Sequence, residues 1–172
     1  KTFFINKNKF IRVFVGSDDT IFYPIKKEKS NNKFIVHFHG TYIPLQGIEY
    51  IIEAANILKE HKDIVFNMIG NGQEYGKIKK LAHKLNINNI NFIDKVGGEF
   101  LVGWMAEADV CLGIFGTTSK ASTVIPNKVF EALASKKPVI TMKSEAIKEL
   151  ALDRQNMLLC NSGDPRDIAD KI

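Results

Sequence analysis

From Phe34 onward, short apolar runs alternate with longer stretches at helical spacing, and this alternation leaves the chain very few folds to adopt. The runs are Phe34–Phe38, Ile64–Ile69, Ile90–Ile93, Val110–Ile114, Val139–Met142 and Met157–Cys160. Between the first two, Ile48, Ile51, Ile52, Ala55 and Leu58 recur three and four apart, which predicts a helix from near Gly47. Further helices are predicted from about Gln73 to Lys84, from about Glu99 to Ala106, and from near Ser144. A last one opens at Asp164, with Asp164 as N-cap, Pro165 in the first position and Asp167 beside the positive helix end. Strands that are apolar nearly throughout belong to parallel sheets covered on both faces, so the expected fold is three-layered α/β. Six such units fit a doubly wound, Rossmann-like parallel sheet of order 3-2-1-4-5-6. Ligands of such sheets bind beyond the carboxyl ends of the strands where the winding reverses, between the first and fourth strands. The loops at that reversal are Gly40–Gln46 and Gly113–Ile125.

The second loop leads into the most informative stretch, Ile114–Met142. Small and hydroxyl residues fill Gly116–Thr123, and Pro126 then opens a helix at a first-turn position, where its missing N–H costs nothing. Val129, Phe130, Leu133 and Ala134 are expected on one apolar face, with Asn127, Lys128, Glu131 and Ser135 on another side. Free amides and a helix N-terminus with a carboxylate one turn further in suit a phosphate attached to a group with vicinal hydroxyls. The plainer alternative is a helix docked on the sheet, with Lys128 and Glu131 as an exposed pair worth roughly 0.2–0.5 kcal/mol. His37 and His39 point to one side of the first strand, and His39 could donate to a phosphate or sugar oxygen or simply pack. Gly70 and Gly72 lack the third glycine of a dinucleotide motif and read as tight-turn residues. No Walker-type lysine loop and no local nucleophile motif is present.

The 172 residues are 45% apolar and 25% charged, which suits one domain, or one domain plus a fragment, with a core of its own. A net charge of +5 favours anionic partners such as phosphorylated ligands or acidic lipid surfaces. Lys26-Lys27 and Lys79-Lys80 are isolated pairs without interleaved aromatics, so nucleic acid is not an expected partner. Cys111 and Cys160 fall in separate strands and are expected as buried free thiols in a reducing compartment. No Cys/His spacing suits a metal, and no cofactor is expected. No apolar run approaches the ~18 residues that cross a bilayer, and the N-terminus lacks a signal-peptide pattern. The expected location is the cytoplasm, with peripheral membrane contact left open.

Residues 1–32 do not share the alternation. Phe10–Val15 is β-like, Gly16–Asp19 a turn, Ile21–Pro24 an extended exit, and Ile25–Asn32 a polar linker. A strand isolated beyond a linker implies that something precedes Lys1. The expected division is 1–32 as the end of another domain plus linker, and 33–172 as the ligand-binding domain.

The run Pro126-Asn-Lys-Val-Phe-Glu-Ala-Leu-Ala-Ser-Lys-Lys-Pro-Val-Ile140 resembles the nucleotide-sugar signature of retaining GT-B glycosyltransferases, the glycosyl transferases group 1 family. Gly40–Ile48 is similar to the glycine loop opening their donor-binding domain, and Val15–Pro24 to the segment leaving their N-terminal domain. The resemblance implies one half of a GT-B architecture, carrying out hexosyltransferase-like transfer from a UDP- or GDP-type sugar with retention and without a metal. The acceptor, a saccharide or a lipid-linked one, would be held by the missing N-terminal half. A sugar-nucleotide epimerase of like architecture and a non-catalytic binding module are the alternatives.

By the same resemblance Glu131 would grip the ribose hydroxyls, while the glutamate that contacts the sugar in the family falls on Thr123, next to Ser122. The family's diphosphate-binding Arg and Lys fall on Thr41 and Gln46, neither of them cationic. Diphosphate neutralisation is therefore assigned to Gly40, Thr41, Lys120, Val124, Ile125 and Lys128, the last near the helix N-terminus. The base is expected against Asp94, Lys95 and Val96.

Overall fold

The computed structural model describes residues 7–9, 11, 13–26 and 32–172. From residue 34 the chain runs β1 (Phe34–His39), α1 (Ile48–Ile57), β2 (Ile64–Ile69), α2 (Tyr75–Lys84), β3 (Ile90–Ile93), α3 (Gly98–Glu107), β4 (Val110–Leu112), α4 (Asn127–Ala134), β5 (Val139–Met142), β6 (Leu158–Cys160) and α5 (Pro165–Lys171). The six strands form one sheet of order β3-β2-β1-β4-β5-β6, parallel throughout. This is the doubly wound order expected from the sequence. The winding reverses on either side of β1, which pairs with β2 from Phe34 opposite Ile64 to His39 opposite Ile69.

Alternation along β1 assigns its side chains to two cores. Val36 and Phe38 are fully buried against one face, with Ile48, Ile51, Ile52 and Ala55 of α1, Ile78 of α2 and Ile168 of α5. The opposite face packs Ile69, Cys111 and Val139 under Leu101 and Met105 of α3 and Val129 and Ala132 of α4. Both cysteines are buried free thiols, which burial pushes up to about 12. Asp164 caps α5 as expected, accepting from the amides of Arg166 and Asp167 at 3.1 Å each.

Several expectations change. Pro126 is the N-cap of α4, with extended backbone (φ −74°, ψ 147°), so Asn127 is the first helical residue. β4 ends at Leu112 because the backbone N–H of Ile114 turns aside to the Thr141 hydroxyl at 3.2 Å. The helix expected near Ser144 is a single 3-10 turn, Ile147–Glu149, held by Ser144 Oγ accepting from the Ile147 N–H. Beyond it the chain doubles back through Arg154, at φ +61°, to enter β6. In the β-like run Phe10–Val15, Phe10 and Arg12 lie outside the described residues, and Ile11 and Val13–Val15 belong to no strand. Lys27–Asn31 of the expected linker are likewise outside them. The turn that follows is set by the Asp18 carboxylate, which accepts from the Thr20 N–H at 3.0 Å and hydroxyl at 2.6 Å. Phe22 is buried with the α3–α4 core. Among the described residues no helix is long and apolar enough to cross a membrane.

The two loops at the winding reversal touch through backbone. Phe115 N–H donates to the Gln46 carbonyl at 3.0 Å. Gly47, at φ +63°, sits so close to Phe115 and Gly116 that a Cβ there would run into their backbone. Tyr42 anchors the first loop from below, fully buried, with its hydroxyl 3.3 Å from the Met68 carbonyl. Gly47→Ala is expected to destabilise the fold by about 2 kcal/mol or more in urea melts, since left-handed backbone and a clash with main chain are both imposed.

Candidate functional site

The helix α4 packs over β4 and β5, and its Lys128 and Glu131 side chains reach the carboxyl end of β1. Its inward stripe is Lys128, Val129, Ala132 and Ser135, whereas Phe130, Leu133 and Ala134 are only half-buried. The expected apolar face is therefore displaced: Val129 packs on the sheet, and Lys128 beside it turns inward to Phe38 and to Gln46 of the loop after β1. Lys128 and Glu131 are not an exposed pair; each turns to a different partner.

Lys128 is 6% exposed and carries no carboxylate partner within salt-bridge reach among the described residues. Its Nζ donates to Gln46 Oε1 at 2.6 Å and lies 3.8 Å from the centroid of the Phe38 ring. A Cβ added to Gly40 would lie 2.7 Å from that Nζ, so the ammonium occupies the space beside the glycine loop. Burial pushes the amine down to about 7, against a smaller upward pull from Glu131. The face of Phe38 favours the charged form and works in the same sense as Glu131.

Glu131 turns to the other side of the strand end, where its Oε2 lies 2.7 Å from His39 Nε2. His39 Nδ1 is in turn 2.9 Å from Nε2 of His37, which is fully buried. A carboxylate can face only an N–H, so His39 carries its proton on Nε2 and accepts at Nδ1. His37 must then donate from its own Nε2, which leaves His37 Nδ1 a bare acceptor, buried and without a partner. Burial holds both rings below the usual histidine range, His37 well below it.

A cleft of about 150 Å³ opens at this point, lined by His39, Gly40 and Thr41 after β1, Gly70 and Asn71 after β2, and Lys95 and Val96 after β3. Gly70 (φ +131°) permits its depth, since a Cβ there would strike the Gly40 carbonyl. Of the residues singled out in the sequence, Gly40, Thr41, Lys95, Val96, Lys128 and Glu131 thus converge on the end of β1. Asp94 is exposed beside them. Lys120 is exposed at the start of the 3-10 turn Ala121–Thr123, and the Ser122 and Thr123 hydroxyls donate to Ser119 and Lys120 carbonyls. Thr123 and Ile125 line a second hollow with Val13, Phe14, Val15 and Phe130, on a different side of the loop. Val124 is half-buried between the 3-10 turn and α4.

The His37–His39–Glu131 chain and the Gln46–Lys128 bond were not assigned from sequence. The spacing His37-x-His39 signalled the first, whereas residues 82 apart leave no local mark of the second. Among the described residues no group of three or more His, Cys, Asp or Glu is placed to hold a metal.

Because burial disfavours the charged form of both rings in the fold, the unfolded chain takes up protons more readily than the folded chain as pH falls below about 6.5. Stability present above that pH is therefore lost on acidification. Urea melts at pH 7.5 and 5.5 are expected to show the loss. His37→Gln, which keeps a donor but cannot titrate, should flatten it by up to about 1.4 kcal/mol per pH unit.

The sequence family described as Glycosyl transferases group 1 matches residues 33–172. An uncharacterised glycosyltransferase of Methanocaldococcus jannaschii is 27% identical over 168 residues, covering 96% of this chain and 43% of the relative. A second from the same organism is 26% identical over 156 residues, covering 90% of this chain and 38% of its own length. The chain thus spans less than half the length of these curated relatives. Its fold is similar to the C-terminal domain of a group 1 family glycosyl transferase (LpcC) from Francisella tularensis, with TM-score 0.76, 24% identity, and coverage of 91% of this chain and 85% of that one. Anabaena HepE, solved in complex with UDP-glucose, gives TM-score 0.70 at 20% identity over 81% of this chain and 38% of that one. With the family match running from the residue before β1 to the last residue, the chain belongs to the glycosyl transferases group 1 family.

Proposed function

We propose that this chain is the donor-binding half of a retaining glycosyltransferase, acting on a nucleoside diphosphate sugar of the UDP or GDP type. The observation that carries this reading is the convergence of Lys128 and Glu131, from one helix, on the end of β1 beside the His39–Gly40 cleft. Glu131 accepts from the vicinal ribose hydroxyls. The diphosphate lies along Gly40 and Thr41, facing the first amides of α4, those of Val124 and Ile125, and the Lys128 ammonium. Lys120 approaches from the exposed side. The base rests against Asp94, Lys95 and Val96. Ser122 and Thr123 reach the sugar once their hydroxyls turn from the carbonyls they now engage.

In the reaction the bond from the anomeric carbon to the diphosphate oxygen breaks and a bond to an acceptor oxygen forms, the acceptor's hydroxyl proton passing to the departing diphosphate. Charge accumulates on the leaving diphosphate, and preorganised cations and N–H dipoles there lower the barrier. With Thr41 and Gln46 uncharged, α4 supplies the cation that the first loop lacks, and Gln46 serves to aim it. The acceptor, a saccharide or lipid-linked group, is held by an N-terminal half to which residues 1–32 belong in part. This chain alone is therefore expected to bind nucleotide weakly and to transfer no sugar.

A panel of UDP, GDP, ADP and their sugars is expected to raise the thermal midpoint for at least one nucleoside diphosphate. Glu131→Ala should remove most of that shift. Indifference to the whole panel would refute the reading. Calorimetry at pH 8 in buffers of different ionisation enthalpy is expected to show proton uptake on binding, absent at pH 6. The amine that titrates near 7 in the empty chain is recharged beside the diphosphate. Lys128→Met should abolish the uptake and weaken binding about 10- to 100-fold.

A further inference from the structure

We propose that His39 is a positioning residue for Glu131. Its Nε2–H, locked in that tautomer by His37, holds one carboxylate oxygen so that the remaining lone pairs face a pair of vicinal hydroxyls. This rests on the reading of Glu131 as the ribose-binding group, and it adds a part of the site that β1 supplies.

A glutamate one turn into a helix is free to sample many rotamers. Here one oxygen is fixed by His39 at 2.7 Å, and the side chain is 19% exposed. An ionised carboxylate offers about four lone-pair sites, so one bond to His39 leaves ample capacity for two hydroxyl donors. The direction of the chain is what makes the bond dependable. Had His39 its proton on Nδ1, a ring lone pair would face the carboxylate and repel it. His37 prevents this by donating to Nδ1 at 2.9 Å.

His37 itself is held in one form. Its Nδ1 is buried with no acceptor in reach, so a proton there would be unsatisfied, and His39, Lys128 and Lys137 all oppose a charge on this ring. The groups acting on His39 are Glu131, which favours its charged form, and Lys128, which disfavours it. The unpartnered nitrogen is thus the fixed end of a one-way relay: His37 Nε2–H to His39 Nδ1, then His39 Nε2–H to Glu131. Two polar rings buried in a central strand cost stability that an aliphatic pair would not. A structural role alone gives no reason for the chain to end on Glu131.

The test is a cycle between His39 and the ligand hydroxyls, using UDP and GDP against their 2′,3′-dideoxy forms in calorimetry on the 172-residue chain. The unaltered chain is expected to prefer the ribo form of the nucleotide it binds by about tenfold or more. Glu131→Ala should erase that preference. His39→Leu should shrink it to about two- to threefold, and His39→Gln, which keeps a donor at similar reach, should restore most of it. Full preference retained in His39→Leu overturns the positioning role while leaving the donor-site reading intact. An unaltered chain that binds but ignores the hydroxyls overturns the ribose assignment and this inference together, and no binding at all overturns the donor-site reading as well. Preference surviving Glu131→Ala and lost only on adding His39→Leu would make His39 a direct contact, also against the proposal. Should His39→Leu not fold, nitrogen-15 imidazole shifts of the unaltered chain at pH 7.5 decide the relay. Both rings are expected with the proton on Nε2, and an Nδ1–H form of either overturns it.

Discussion

Lys128 is an amine taken out of water with no carboxylate at salt-bridge distance among the described residues, and the arrangement around it follows from that. Burying an unpaired charge is so costly that such groups ordinarily neutralise or find an anion. The fold supplies partial compensation only: one amide oxygen from Gln46 and one aromatic face from Phe38. Phe38 comes from β1 itself and Gln46 from the loop after it, so strand, loop and the first turn of α4 are tied at a single atom. Gly40 has no side chain to contest that space, and Gly47 lets Gln46 reach it by bringing the loop against Phe115 and Gly116. Replacing the lysine with a hydrophobic residue of similar length would remove the desolvation cost. Under the proposed function, this destabilised cation is the group that the diphosphate pairs with.

The topology explains why this happens at β1 and nowhere else in the sheet. On either side of β1 the crossovers leave in opposite directions, so the loops after β1 and β4 are not covered by a shared helix. α4 follows β4 and packs over β4 and β5, and from there Lys128 and Glu131 reach across to the end of β1. A helix docked one register further along would have buried Phe130 and Leu133 and left Lys128 in solvent. The displaced apolar face of α4 and the buried amine thus share one cause.

The sheet was legible in the sequence because strand length and apolar content are local properties. β2, β3 and β5 begin and end where their apolar runs do. One misread terminus was decided by a distant partner, Thr141, which takes the Ile114 amide and shortens β4; the stretch after Ser144 closes as a single 3-10 turn. Glu131 and Gly40 were singled out because a run of sequence resembles a known pattern, and the fold brings both to the end of β1. Lys128 was legible as a cation but not as a buried one, since its partners Gln46 and Phe38 lie far away in the chain. His37 and His39 showed only their spacing. Nothing in that spacing reveals that a helix arriving from residues 127–134 ends the relay with a carboxylate.

Lys128 and Glu131 lie three apart on α4, neighbours on the helix surface at roughly 5–6 Å between Cβ atoms. Their partners come from opposite faces of β1, because Phe38 alternates with His37 and His39. A single short helix therefore straddles the end of the central strand, one side chain passing to each face. Neither contact can be adjusted alone: a shift of α4 that lengthens the Lys128–Gln46 bond also moves the carboxylate that His39 holds. Under the proposed function, recognition of the diphosphate and of the ribose attached to it becomes one rigid-body property. The stiffness comes from Val129 and Ala132, packed without solvent exposure between the two functional side chains and the sheet. Close-packed interiors transmit such displacements instead of absorbing them. The apolar residues that alternate with the two polar ones thus fix how both of them meet the end of β1.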